Sequence, residues 1–465
     1  MAYRVSQIEV PVENPFLHDA LERRPLVEFL AGLIGRVGGP FVIALDSPWG
    51  SGKTTLVHML ESELKRQDYQ CVYFNAWQVD YVTDPLVALV SSIDRVELSG
   101  AAAAATFKDH LKTIRRVTNL VAKRGAVAAA KALTVGALDI DEEIKKAASE
   151  LAGGVVSDIV EAFHKEKALL GKFRTEMEAA VALLPSGGKK QTLVFFIDEL
   201  DRCRPTFAIE LLERIKHLFD VANIVFVLSI DKQQLEASTA AVYGQGIDAR
   251  EYLRRFIDLE YGIPSAKTKR FTESLFKRFG LDEIFARRSH PELRSDRSNF
   301  INFFTSLADA VPLSLRARER CITRLCVVMD QTPDDHYLEP ILVALLIVLR
   351  SNHPDLFRGL CVGHAGAKEV MAYLGALPGG KKIVTDRAGL LIEAYLIATD
   401  EDDVRKAATA TELKALANDE KAPDQSRNHP SELLEMLQHI SRPLRDVPRL
   451  GFVARKVDLS AGLKD

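Results

Sequence analysis

The chain has 465 residues, 47% hydrophobic and 27% charged, ordinary globular values that exclude wholesale disorder. Lys and Arg total 61 against 64 Asp and Glu, a net charge of −3, which argues against a protein coated in nucleic acid but leaves room for a local basic patch. At roughly 100–200 residues per domain, the length corresponds to two to four packed units.

The first residues, MAYRVSQIEVPVENPF, lack an apolar h-region, so no secretory signal is expected. An amphipathic helix is predicted near Leu26–Val37, ended by Gly38-Gly39-Pro40. Phe41–Leu45 reads as a strand covered on both faces, followed by a Gly-rich loop, a helix over Thr54–Arg66 and a second short strand at Cys71–Phe74. Residues 98–184 turn Ala-rich and charged without strand signals, as an inserted helical region would. Two more buried strands follow, Leu193–Ile197 and Ile224–Ile230, separated by a helix around Thr206–Phe219. Alternating strands and helices predict an α/β fold with a parallel, doubly wound sheet. After Pro264 the chain reads as mostly helical, with breaks at Leu377–Gly380 and at the polar stretch Asn418–Arg427. The longest apolar run, Ile341–Leu349, is far shorter than the about 20 residues a membrane helix needs and reads as a buried helix segment. The five cysteines form no C-x-x-C pair, which predicts reduced core thiols and a cytoplasmic setting, not a disulfide framework or zinc ribbon.

The strongest chemical signal lies between the first strand and the next helix: Ser47, Pro48, Trp49, Gly50, Ser51, Gly52, Lys53, Thr54 and Thr55. Glycines let a backbone curl so that successive N–H groups point at phosphate oxygens, and the helix N-terminus adds partial positive charge. In such a loop Lys53 reaches the β- and γ-phosphates and the Thr54 hydroxyl reaches Mg²⁺. Ser47 stands where the pattern G-x-x-x-x-G-K-[ST] has its first glycine, a place Ser can take if its φ stays negative or strain is tolerated.

The second signal is the apolar strand in LVFFIDELDRCRP, which ends in two acids. Asp198 is the candidate metal-side acid and Glu199 the candidate general base; Asp201 suits a helix cap. Ser229–Asp231, at the end of IVFVLSID, forms the third. With that strand beside the loop's strand, Ser229 would lie near a γ-phosphate and sense its hydrolysis, although an ordinary strand-to-helix turn explains these residues equally well. No N-K-x-D guanine reader follows, since Ser229-Ile-Asp-Lys-Gln-Gln stands there, so ATP is favoured over GTP. No L-S-G-G-Q helix start occurs either, and a small-molecule kinase fits a chain with this long helical tail less well.

These residues resemble the KAP family of P-loop NTPases. The likeness rests on Trp49–Thr55, on Asn75-Ala-Trp77, on Ile197–Cys203, on Phe226–Leu235 and Tyr252–Pro264, and extends to Leu313–Arg320. It covers roughly residues 15–330, interrupted by the insert. The resemblance implies a P-loop fold of the additional-strand class, ATP and Mg²⁺ as ligands and hydrolysis of the β–γ phosphoanhydride. Many members carry transmembrane helices in the insert; 98–184 has none, its apolar stretch Gly125–Leu138 being short and broken by Lys131, so a soluble member is expected. Some soluble bacterial relatives belong to multi-gene anti-phage systems, which implies antiviral defence and protein partners from the same operon. A homo-oligomer is left open.

Among the arginines, Arg316, in the segment that looks like a lid, is the candidate sensor of bound phosphate, while surface pairing suits Arg254 and Arg255 and a partner in its own turn suits Arg202. Trp49 would cover the phosphates or anchor the loop, and Trp77 would be a packing anchor. In the insert, Lys108, Lys112, Arg115 and Arg116 fall at helical spacing within a basic segment, 108–131. It would meet nucleic acid or an anionic surface, or be a solvated face complementing Asp139–Glu143; the solvated face is favoured. The expected organisation is a nucleotide-binding core at 1–97 and 185–265, a helical insert at 98–184, a helical lid at 266–376 and a helical C-terminal region at 377–465. The favoured activity is an ATP-driven conformational switch. Its rivals are a nucleic-acid-dependent ATPase motor or loader and a nucleotide-binding scaffold with negligible turnover.

Overall fold

The computed structural model describes residues 8–96, 98–135, 167–185, 188–264, 268–288, 291–334, 336, 338–400, 402–419, 424–440 and 450–458, with side chains left aside at 123–135, 292, 424–427 and 439. Two compact units emerge, one from residues 8–19 and 23–265, the other from 20–22 and 266–465.

The first unit is built on five parallel strands: β1 (Phe41–Asp46), β2 (Gln70–Asn75), β3 (Leu193–Asp198), β4 (Ile224–Ile230) and β5 (Leu259–Gly262), in the order β2-β3-β4-β1-β5. The fold is thus α/β, and β4 stands between the strand before the Gly-rich loop and the strand ending in the acids, as the additional-strand class requires. Every residue of β3 and β4 is buried, which is why their sequences run apolar without alternation.

Helices cover both faces. On one, α1 (Arg24–Ile34) and α2 (Lys53–Arg66) pack over Ile43, Leu45, Val194, Phe196, Val225 and Val227. On the other, α3 (Pro85–Ser92), α4 (Ala101–Val135), α5 (167–182) and α6 (Pro205–Leu218) enclose Phe195, Ile197, Phe226 and Leu228. Phe195 stacks on Phe226 at 4.9 Å, and Phe219 meets both edge-on. The insert joins this core through Phe107, Leu111, Ile114, Val117 and Val121, spaced three and four apart on α4. After β4 come α7 (Lys232–Tyr243) and α8 (Ala249–Leu253).

The second unit is helical among the described residues: α9 (Lys269–Phe279), α10 (Leu281–Arg287), α11 (Asp296–Ala310), α12 (Leu315–Asp330), α13 (Pro340–Asn352), α14 (Pro354–Cys361), α15 (Ala367–Ala376), α16 (Gly380–Thr385), α17 (Arg387–Ala398), α18 (Asp403–Ala417), α19 (Asp424–Ile440) and α20 (Leu450–Asp458). The apolar run lies in α13, where Leu342–Leu349 are all buried. Among the described residues, no helix is long and apolar enough to cross a membrane. No cysteine is in a disulfide, four of the five are buried, and burial pushes the Cys203 thiol up to about 12.

Candidate nucleotide site

The Gly-rich loop leaves β1 at Asp46 and enters α2 at Lys53. Gly50 and Gly52 hold φ of 77° and 87°, conformations that side-chain-bearing residues rarely adopt, so this turn needs glycine at both positions. Ser47 is not among the residues with positive φ. It is buried, and its N–H donates to Ile230 O at 3.1 Å, extending the β1–β4 pairing by one residue. Serine in place of the first glycine is therefore accommodated directly after β1 without a left-handed backbone. Pro48 is exposed, and Thr54 and Thr55 are half-buried in the first turn of α2.

Lys53 Nζ donates to the loop's own carbonyls, to Ser47 O and, at 3.3 Å, to Pro48 O. Burial pulls its ammonium below the usual lysine value; Asp201, Asp231, Asp198 and Asp46 oppose that shift. Four carboxylates thus surround one cation at the strand ends, each also holding scaffold. Asp46 accepts from Lys232 N at 2.9 Å and Asp231 from Trp49 N at 3.2 Å, while Asp201 accepts from the Trp49 indole. Trp49 is therefore an anchored residue, although it is itself 44% exposed. Asp201 is not a cap: α6 starts behind Arg204 with no side-chain cap. Burial raises the Asp201 carboxyl, with the Trp49 bond and Lys53 pulling the other way.

Asp198 ends β3 almost fully buried. Its Oδ1 accepts from Glu199 N at 2.9 Å and its Oδ2 from Tyr73 Oη at 3.0 Å. Tyr73 is a site residue that the sequence reading missed; its signal is a hydroxyl-bearing residue two positions before the end of an apolar strand. Burial, then the charge of Asp198, pushes the Tyr73 hydroxyl well up, so it stays a donor. Ser229 is fully buried in register with Asp198 on one side and Leu45 on the other.

Glu199 follows with a left-handed backbone, φ 59°. Its Oε1 lies 2.6 Å from Arg202 Nη1, and its Oε2 accepts from Asn75 Nδ2 at 3.2 Å. Arg202 thus finds its acid within its own turn, as expected. Trp77 departs from expectation: it is half exposed, and the Arg202 guanidinium lies 5.7 Å from its ring centroid. A short helical turn at Trp77–Val79 turns the residue outward from the sheet.

The donor set fits a polyphosphate. The hydroxyls of Ser51 and Ser229 are buried without a hydrogen-bond partner, an arrangement that costs stability unless a ligand uses it. They accompany a glycine turn, a lysine and the N-terminus of a 14-residue helix. For a divalent cation, the candidate oxygen donors are Asp198 and the Thr54 hydroxyl, hard ligands of the kind Mg²⁺ takes. Among the described residues no cluster of His, Cys, Asp and Glu suits a metal by itself.

Arg316 belongs to the second unit, exposed on the first turn of α12. The buried arginine of that helix is Arg318, which donates to Ala308 O, Leu313 O, Thr268 Oγ1 and Asp309 Oδ1 at 2.6–3.1 Å. Arg254 pairs with Glu251, and Arg255 lies over Tyr252, both surface arrangements. On α4, Lys108, Lys112, Arg115 and Arg116 are exposed; Lys112 pairs with Asp109 and Arg115 with Asp94. The acids expected to complement the stripe, Asp139–Glu143, lie outside the described residues.

No curated protein matches the chain. The family model of the KAP family P-loop domain matches residues 23–330, a span that takes in the loop, the acid pair, the serine strand and the helix bearing Arg316. With this match over about two thirds of its length, on a five-stranded parallel sheet carrying those motifs in register, the chain belongs to the KAP family of nucleotide-binding P-loop NTPases.

Proposed function

We propose that the chain binds ATP with Mg²⁺ at residues 47–55 and hydrolyses it slowly, using the cycle as a conformational switch. The observation that carries the reading is the pair of buried, unpartnered hydroxyls, Ser51 in the loop and Ser229 at the tip of the neighbouring strand. Binding begins with Lys53, which exchanges the carbonyls of Ser47 and Pro48 for phosphate oxygens. Loop N–H groups and the α2 terminus hold the remaining charge, and Thr54 and Asp198 would hold Mg²⁺, which supplies charge neutralisation at the β- and γ-oxygens. Glu199 takes a proton from water as the water oxygen bonds to the γ-phosphorus. The bond between that phosphorus and the bridging oxygen breaks, leaving ADP and inorganic phosphate. Arg316, on the helical unit, is the proposed phosphate sensor. The switch would signal to a protein partner; the resemblance to soluble relatives suggests one from the same operon, in antiviral defence.

A second reading, a scaffold with negligible turnover, is favoured by one observation: both oxygens of Glu199 are already engaged. Phosphate release decides between the two. On the switch reading, purified protein with ATP and Mg²⁺ releases phosphate, Lys53→Ala does not, and Glu199→Gln binds ATP without releasing it. ATP binding with no release in any preparation refutes the switch.

A further inference from the structure

The geometry around Glu199 points to a device beyond the bare hydrolytic site. We infer that Arg202 and Asn75 are positioning residues that latch the Glu199 carboxylate away from the phosphate loop, and that turnover requires Arg202 to let go. The inference rests on the reading of Glu199 as the base.

Three observations carry it. First, Arg202 takes one carboxylate oxygen at 2.6 Å and Asn75 the other at 3.2 Å, so the side chain is fixed at both ends of its carboxylate. Second, the direction is set by topology. Asn75 ends β2, the edge strand beside β3, whereas β4 and then β1 with the phosphate loop lie on the other side of β3. The carboxylate is therefore bonded to the side of the sheet away from the loop. Third, the backbone at Glu199 is left-handed, a conformation a non-glycine residue keeps only when its surroundings over-determine it.

The two holders differ in permanence. Asn75 is itself fixed, its Oδ1 accepting from Gln78 N at 3.1 Å, and its backbone ends a paired strand. Arg202 sits in a single short turn, Leu200–Arg202, with its guanidinium over the half-exposed Trp77 and its side chain 23% exposed. A triphosphate in the loop brings negative charge that competes for this guanidinium. Arg202 is the half of the latch that can open, and Trp77 is its optical reporter, because the cation lies over the indole ring in the latched state.

The test combines single-turnover phosphate release with Trp77 emission, read as the difference between each protein and its Trp77→Phe counterpart so that Trp49 keeps its bond to Asp201 in the loop. With Mg-ATP as the probe, the latch predicts that Arg202→Ala raises the release rate roughly two- to fivefold at saturating ATP with KM unchanged, the range for one partly screened charge pair. Arg202→Lys, which keeps a cation, stays near the parent rate and guards against a folding defect in the alanine variant. Trp77 emission changes on ATP addition in the parent and not in Arg202→Ala. Release that Arg202→Ala slows or leaves unaltered overturns the latch while leaving hydrolysis standing. No phosphate release from the parent or from either Arg202 variant refutes the hydrolytic reading and takes the latch with it, an outcome distinct from release that Arg202→Ala fails to speed. An emission that ATP leaves unmoved in the parent also overturns the latch.

Discussion

Ser229→Ala separates stability from function. In the protein without nucleotide, Ser229 Oγ is buried without a partner, and such a group costs about 1–3 kcal/mol. Alanine removes that cost and leaves a void no larger than one oxygen atom, worth about 0.5 kcal/mol or less by the cavity relation. The net expectation is a gain of about 1–2 kcal/mol. For a unit of this size, about 2–4 °C in Tm accompanies each kcal/mol, so Tm should rise by about 2–8 °C. With nucleotide bound the sign reverses. On the proposed reading the hydroxyl then donates to the γ-phosphate, and a hydrogen bond to a charged group is worth about 1.5–3 kcal/mol, so phosphate release should fall at least roughly tenfold. Calorimetric melting without nucleotide and phosphate release with Mg-ATP are the two assays. A lower Tm in the variant without nucleotide means the hydroxyl is satisfied in the protein and refutes the reasoning from its isolation.

Further expectations follow from the same strand ends. Lys53→Ala should weaken ATP binding roughly 10- to 100-fold by titration calorimetry, the loss of one charge-assisted contact. Glu199→Gln should keep ATP affinity within about threefold and stop release, visible as retention of labelled ATP on a desalting column. Chelating Mg²⁺ should weaken ATP binding steeply, because the four carboxylates that act on Lys53 would then repel the triphosphate with no divalent cation to offset them; titration with and without chelator reads this. The Asp201 carboxyl is raised, so the folded state holds its proton more tightly than the unfolded chain does. Its contribution to stability is therefore fully present below the ordinary carboxylate value near 4 and is lost as pH rises through the raised value. Asp201→Asn should flatten that fall, since Asn Oδ1 still accepts from the Trp49 indole; melting curves across this acidic window check it.

Much of the nucleotide unit was legible because its information is local. A strand covered on both faces must be apolar throughout, and β3 and β4 announce themselves by that alone. The glycine turn at 50–52 is likewise written in adjacent residues. What escaped depends on residues distant in sequence. Tyr73 and Asn75 reach Asp198 and Glu199 across a gap that holds the whole insert, and only strand register brings them together. Ser47 looked like a defect in a motif because its φ is not a property of the sequence; directly after β1 it bonds to Ile230 without taking a positive φ. Trp77 was expected to be a packing anchor because apolar bulk usually means core, yet the turn after β2 carries it outward under Arg202.

The acids at the strand ends resolve an apparent conflict in a site that must attract an anion. Asp46, Asp198, Asp201 and Asp231 outnumber Lys53 four to one, so simple charge opposes a triphosphate. Yet each acid accepts a hydrogen bond from the scaffold: Lys232 N, Glu199 N, the Trp49 indole and Trp49 N respectively. Two of the four bonds fasten Trp49, which sits in the loop directly before Gly50. Asp201 and Asp231 therefore hold the curl of the loop, the conformation on which the aim of its N–H groups depends. On the proposed reading, affinity for phosphate comes from oriented backbone dipoles and a divalent cation, which no count of charged side chains registers. Neutralising Asp231 as Asn keeps an acceptor for Trp49 N and should leave the loop in place. Asp231→Ala removes the acceptor and should weaken ATP binding, despite subtracting a negative charge from the site.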